Sequence, residues 1–172
     1  MERRQTALPV TVRLAAAADL PAILDIYNDA VLHSTATFDT EPRTMDEQEG
    51  WLRGHAHPYA VLVAEAGGAV VGWACLSPFR PKPAYRFTAE DSVYVRRDVR
   101  ADGIGRLLLE RLLEVAAGNG FHSVVGLIVG DNPASLRLHR RLGFRRVGVE
   151  REVGYKFERW LDVVVMQKLV AE

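Results

Sequence analysis

Three stretches of the sequence carry residues suited to chemistry. The first is Arg100-Ala101-Asp102-Gly103-Ile104-Gly105, which opens an apolar-periodic run. A helix start leaves backbone N–H groups unpaired, and glycine lets a ligand approach them closely. The helix dipole and Arg100 would then favour phosphate oxygens. The stretch lacks the Lys-Ser/Thr ending of a P-loop and the three glycines of a dinucleotide fingerprint. A pyrophosphate cradle and a plain helix start with a tight glycine turn therefore both stay open. The second stretch runs from Asn132 through Ser135 to His139. Asn132 suits a helix cap with Pro133 in the first turn, and residues four apart share one helical face. Asn132 and Ser135 could orient a ligand at that helix start, and His139 could exchange a proton near neutral pH. A lone helix histidine with a structural role is the alternative. The third is the adjacent pair Glu90-Asp91, in a strand-like run. Neighbouring side chains on a strand face opposite sides, so this is no obvious paired-acid site. One carboxylate is expected to face a cleft and the other solvent.

Other reactive residue types lead to blander readings. His55 and His57 are two apart with no third ligand nearby, so no metal site is expected. Cys75 sits in Trp73-Ala74-Cys75-Leu76 and reads as a packed structural thiol; a single cysteine excludes an intrachain disulfide.

The elements that must position these residues follow from periodicity and punctuation. Val10–Leu14 alternates as a first strand. Asp19 is a plausible cap for a helix that aligns Ile23, Ile26, Tyr27, Ala30 and Val31 and fades near His33. A polar loop over 36–43 carries Phe38, and Thr44 with Glu47 resembles a capping box for a second helix ending near Gly54. Strands over 59–66 and 69–76 flank the hairpin signal Gly67-Gly68. Pro78, Pro81 and Pro83 mark a loop over 77–84 whose Arg80 and Lys82 could meet an anionic group. A strand over 86–95 leads to the Gly103 helix, whose inner face would carry Ile104, Leu107, Leu108, Leu112 and Val115. Residues 122–129 have the apolar density of a central strand. After the Asn132 helix, ended by Gly143, two strands over 145–152 and 161–170 are expected to join through Gly154-Tyr155-Lys156-Phe157. The order predicts a mixed α/β sheet with helices on its faces.

The chain has 172 residues, enough for one domain with a sizeable core. Residues 1–9 are expected to form a flexible N-terminal segment, 10–170 the single domain and 171–172 a short tail. With 48% hydrophobic and 26% charged residues the composition is that of a globular protein. Lysine plus arginine number 22 and so do aspartate plus glutamate, a balance that gives no support to nucleic-acid binding. No apolar run is long enough to span a bilayer, and the first residues lack a secretory core, so no membrane partner and a cytoplasmic location are expected.

Two motifs, taken together and in order, carry a family resemblance. Ser92-Val93-Tyr94-Val95 is followed by Arg100-x-x-Gly103-x-Gly105, and then, after a strand, by Asn132-x-x-Ser135-x-x-x-His139-x-x-x-Gly143-Phe144. With these the chain resembles the GNAT acyltransferase superfamily over about Val10 to Leu169. Asp19-Leu20-Pro21-Ala22-Ile23, Tyr27-Asn28, Ser34-Thr35-x-x-Phe38 and Ala84-Tyr85-x-x-Thr88-x-Glu90 resemble, more narrowly, the phosphinothricin or methionine-sulfone N-acetyltransferase group.

The resemblance implies a mainly antiparallel central sheet, split between central strands to hold acetyl-CoA as cosubstrate without a metal. It implies that backbone around Val93, Tyr94 and Val95 binds the pantetheine arm and polarises the thioester carbonyl. The turn of Arg100, Ala101, Asp102, Gly103, Ile104, Gly105 and Arg106 would embrace the pyrophosphate, and Asn132, Ser135 and Arg140 would lie along the CoA. Glu90 would act as general base on the amine and His139 as acid toward the leaving thiolate, with Tyr94 a weaker alternative. Phe38, Tyr85 and Phe87 could line the substrate pocket; Arg80, Lys82, Arg86 and Lys156 are candidate partners for a carboxylate or phosphinate. The implied reaction acetylates the primary amine of a small amino-acid analogue such as methionine sulfone, methionine sulfoximine or phosphinothricin. A homodimer is expected, with Phe157, Trp160 and Leu161 at its interface. The competing readings are an acetyltransferase for another amine, a polyamine or a protein N-terminus, and a non-catalytic acyl-CoA sensor.

Overall fold

The helix ends are where sequence chemistry is most directly visible. In the computed structural model, which describes residues 9–99 and 103–170, the Thr44 hydroxyl accepts from the Glu47 N–H at 3.3 Å. The Glu47 carboxylate accepts from the Thr44 N–H at 2.7 Å, completing the capping box of α2 (Met45–Gly54). Asn132 likewise caps α4 (Pro133–Arg141), its side-chain oxygen accepting from the Ser135 N–H at 3.1 Å. Asp19 precedes α1 (Leu20–His33) but its side chain makes no cap bond. Its carboxylate instead accepts from the Arg13 guanidinium at 2.7 and 2.8 Å and from the Ala16 N–H at 2.8 Å. The third helix, α3 (Ile104–Gly118), starts after Gly103, whose φ of 79° is a left-handed conformation that suits glycine.

The strands are β1 (Val10–Leu14), β2 (Val61–Ala66), β3 (Ala69–Pro78), β4 (Thr88–Val95), β5 (Ser123–Val129), β6 (Arg145–Lys156) and β7 (Arg159–Leu169). They form one sheet in the order β1-β2-β3-β4-β5-β7-β6. Every pairing is antiparallel except β4 with β5. The parallel pairing is short, running from Thr88↔Ser123 to Asp91↔Gly126. Beyond that rung β4 stays on β3 as far as Val95↔Gly72, while β5 continues on β7 as far as Val129↔Val163. The sheet is therefore split at its centre.

Two apolar layers hold the halves. On one face Ile23, Ile26, Tyr27 and Val31 of α1 pack on Val61, Val63, Trp73 and Cys75. On the other, Ile104, Leu108, Leu109, Leu112 and Ala116 of α3 pack on Leu62, Ala74, Leu76 and Ala89. Full burial of one such leucine contributes about 1.5–3 kcal/mol.

Two expectations about these elements need correction. The inward face of α3 includes Leu109 and Ala116 as well as Ile104, Leu108 and Leu112, with Val115 packed at its margin, whereas Leu107 is 41% exposed. The helix begins at Ile104, and its 3.6-residue period carries the buried stripe onto 108, 109, 112 and 116. The last two strands do not join through residues 154–157. β6 runs on to Lys156, and the turn is Phe157-Glu158, both with positive φ (51° and 58°). These values match the mirror-image turn that suits the twist of a hairpin. Residues 1–8, 171–172 and 100–102, including the predicted cradle members Arg100, Ala101 and Asp102, lie outside the described residues.

Candidate active site

The split opens a cavity of about 410 Å³. It is walled by Ala36, Thr37 and Phe38 of the α1–α2 loop and by Glu90 to Tyr94 of β4. Gly126 to Val129 of β5, Asn132, Ser135 and His139 beside α4, and Glu150 and Val153 of β6 close it. That size suits a small ligand. Because β5 leaves β4 after Asp91, side chains from both faces of β4 reach this space. Glu90 does so from the α1 face and is half-buried; Asp91 does so from the α3 face and is 6% exposed. The two do face opposite sides of the strand, but neither points to open solvent. The split replaces the solvent-exposed face with a cavity wall.

Asp91 and His139 meet across 48 residues of sequence. Nε2 of His139 lies 2.9 Å from Asp91 Oδ2, and Nδ1 donates to the Ser135 carbonyl at 2.8 Å. His139 is 3% exposed, its ring edge-on to Phe144 at 4.8 Å. Gly126 makes room for the pair: a Cβ there would lie 3.0 Å from the imidazole and 3.1 Å from Asp91 Oδ1. Burial disfavours the imidazolium, but the bond to Asp91, its charge and the Ser135 carbonyl outweigh that and raise the His139 pKa. Burial, aided by the charge of Asp91, also raises the pKa of Glu90, whose carboxylate accepts no hydrogen bond among the described residues. Tyr94 stacks on Trp73 at 4.7 Å with Tyr27 edge-on at 5.3 Å, and burial pushes its phenol far up. Burial pushes the Cys75 thiol up to about 12, which keeps it from being a thiolate.

At the far end of the split, Gly105 sits where α3, β4 and α4 converge. A Cβ at that position would come within 3.5 Å of Leu138 and 3.7 Å of Val95.

Comparison with known proteins agrees with this arrangement. The acetyltransferase (GNAT) family profile matches residues 21–144. The chain belongs to the GNAT acetyltransferase family. It is 44% identical over 162 residues to the L-methionine sulfoximine/L-methionine sulfone acetyltransferase of Pseudomonas paraeruginosa, covering 93% of this chain and 94% of that one. It is 42% identical to the phosphinothricin N-acetyltransferase of Streptomyces coelicolor, covering 90% of this chain and 92% of that one. Among solved structures, the phosphinothricin acetyltransferase of Sinorhizobium meliloti in complex with acetyl-CoA superposes with a TM-score of 0.90 at 39% identity. That match covers 93% of this chain and 88% of the other.

Within this GNAT chain the remaining candidates separate into four placements. Val93, Tyr94, Asn132, Ser135, His139, Glu90 and Phe38 line the cavity. Val95 borders Gly105, Ile104 is buried in the core, Arg106 donates to Glu110 at 2.8 Å on the surface of α3, and Arg140 is exposed on α4. Arg80, Lys82, Tyr85, Arg86 and Phe87 lie on the β3–β4 loop and do not line the cavity. There Arg80 covers Phe79 at 4.8 Å and Tyr85 at 5.5 Å, and Arg86 covers Phe87 at 4.4 Å. Lys156 is buried, its ammonium donating to the Thr37 carbonyl at 2.8 Å; burial lowers its pKa. Gly154, two residues earlier on the same face of β6, lies against the Phe38 ring, which a Cβ there would overlap. Together with Tyr27, whose hydroxyl meets Thr37 Oγ1 at 2.9 Å, these residues fix the wall opposite Glu90. Sequence reasoning missed Asp91, Gly126, Gly154 and Tyr27 as parts of the site. A glycine inside an apolar strand was the available signal for Gly126, since it marks close approach of another group.

Proposed function

We propose that the chain is a cytoplasmic N-acetyltransferase that transfers acetyl from acetyl-CoA to the primary amine of a small amino-acid analogue. Methionine sulfone, methionine sulfoximine and phosphinothricin are the leading substrates. The observation that carries this reading is the Glu90 carboxylate: half-buried, raised in pKa and without a hydrogen-bond partner among the described residues, it faces the cavity at the split. The activities of the relatives support the substrate class.

Acetyl-CoA supplies the activated acyl group. Glu90 accepts the amine proton, directly or through water, as the C–N bond forms and the C–S bond breaks. A backbone N–H group of β4 at the split, at Val93 or Tyr94, would bind the carbonyl oxygen. The sulfur leaves with its electron pair beside His139, which offers positive charge. His139 can deliver a proton to that sulfur only by opening its bond to Asp91. The 36–38 wall orients the acceptor against Glu90.

The test is CoA release from acetyl-CoA with methionine sulfone, methionine sulfoximine, phosphinothricin, ordinary amino acids, a polyamine and short peptides, with products identified by mass. Acetylated product from the first three is expected. Product from peptides alone would move the chain to a protein-modifying class, and CoA binding without product from any member would favour a sensor. A second expectation concerns the wall. Gly154→Ala displaces Phe38 and raises the KM of the acceptor amine about tenfold or more, leaving that of acetyl-CoA nearly unchanged. Steady-state kinetics with each substrate varied would check it, and equal shifts in both constants would count against a wall specific to the acceptor.

We also propose a homodimer through the edge strand β6 and its hairpin with β7. Tyr155 and Trp160 are 57% and 61% exposed, their rings 5.0 Å apart, beside exposed Val153 and Phe157. Such an apolar patch suits a partner surface. Leu161 does not belong to it, because it faces the chain's own core and is buried.

A further inference from the structure

We infer that Asp91 is a positioning residue for the transfer reaction: it holds His139 as a doubly hydrogen-bonded imidazolium at the rung where β4 and β5 part. The inference rests on the acetyltransferase reading above and adds a residue to it.

The argument begins with proton counting. Nδ1 of His139 lies 2.8 Å from the Ser135 carbonyl and 3.3 Å from the Ser135 hydroxyl; the carbonyl has only lone pairs, so at the shorter contact Nδ1 carries the hydrogen and the hydroxyl accepts from it at most weakly. A neutral ring would then present a bare Nε2 lone pair to Asp91 Oδ2 at 2.9 Å. Two lone pairs do not approach that closely without a proton between them. The pair therefore shares a proton, and a carboxylate facing a ring nitrogen places it on Nε2. The side chains are only 4% and 1% exposed, so the pairing is hardly screened by solvent. The raised pKa of His139 agrees with this reading.

Placement gives the pair its function. Asp91↔Gly126 is the last rung joining β4 to β5, and the imidazole packs on the bare Cα of Gly126. The pair thus ties α4 to β4 across the seam, at the point where the cavity begins. His139 occupies Asp91 Oδ2, leaving Glu90 the carboxylate of this strand available to take a proton. The other titratable groups facing this region are Glu90 on β4, Cys75 on β3, and Glu150 across the cavity on β6. Asp91 Oδ1 has no partner among the described residues, so Asp91 is held through Oδ2 and His139 alone.

Nitrogen-15 NMR of the histidine rings in the free protein tests this without any amine or acetyl-CoA. Both His139 nitrogens should be protonated at pH 7, and in Asp91→Asn, where burial acts without the carboxylate, the ring should lose its second proton at a lower pH than in the wild type. Kinetics supply a second readout. Asp91→Asn and His139→Gln should each lower kcat/KM about 10²-fold, and the double variant should be no worse than about threefold below the poorer single one. A wild-type His139 with an unprotonated Nε2 at pH 7 would overturn the inference, and so would losses that multiply in the double variant. If Asp91→Asn does not fold, the wild-type titration decides alone. If no amine on the panel is acetylated, the proposed substrate fails while the NMR result stands or falls by itself.

Discussion

Glu90→Gln lowers kcat by about 10²–10⁴-fold and leaves acetyl-CoA affinity within about threefold, because the amide cannot accept the amine proton. The substitution keeps the size of the side chain and removes only its charge and basicity. Single-turnover rates would show the loss in the chemical step, and calorimetric titration with acetyl-CoA would show intact binding. The pH profile provides a further check. A base works only when ionised, and both burial and Asp91 hold the Glu90 pKa above the ordinary glutamate value. Wild-type kcat/KM should therefore fall as pH drops through a point higher than that of a free glutamate, and the variant should lack this limb. Equal turnover of the two proteins across pH at saturating substrates would remove Glu90 from proton transfer.

That prediction depends on a residue whose importance was readable from the sequence only by likeness to a family. The physics of Glu90-Asp91 as a dipeptide gave opposite faces of a strand, and the structure keeps them there. The split in the sheet, which puts both faces into one cavity, was not readable from the dipeptide. It depends on β5 leaving β4 after Gly126, a pairing set by β7 from the far end of the chain. Local signals fared better where the partner lies within four residues. The Thr44–Glu47 box, the Asn132 cap and the Gly67-Gly68 turn all follow from backbone chemistry at short range. The Phe157-Glu158 turn escaped because its positive φ values fall on residues that do not advertise them. Lys156 shows the same limit in a side chain. Its charge suggested a substrate anion, yet its ammonium is buried against the Thr37 carbonyl, 119 residues away.

Gly126→Val is expected to lower kcat/KM about 10²-fold or more and to cost about 1–3 kcal/mol of stability, the usual range for overpacking a filled interior. The position has no space to give. A single Cβ would already lie 3.0 Å from the imidazole and 3.1 Å from Asp91 Oδ1, so Gly126→Ala forces shifts of a few tenths of an ångström. The two further methyl groups of valine cannot be met that way. They must push His139 off Asp91, which breaks the tie between α4 and β4, or push β5 further from β4, which widens the split. Both moves misplace the cavity wall relative to Glu90. Thermal melts would report the stability change, and the His139 ring shifts would distinguish the two moves. A released imidazole should titrate near the ordinary range, whereas a widened split should leave the pair protonated and weaken acetyl-CoA binding. A valine variant with wild-type kinetics and ring shifts would mean that the rung at Gly126 does not set the geometry of the site.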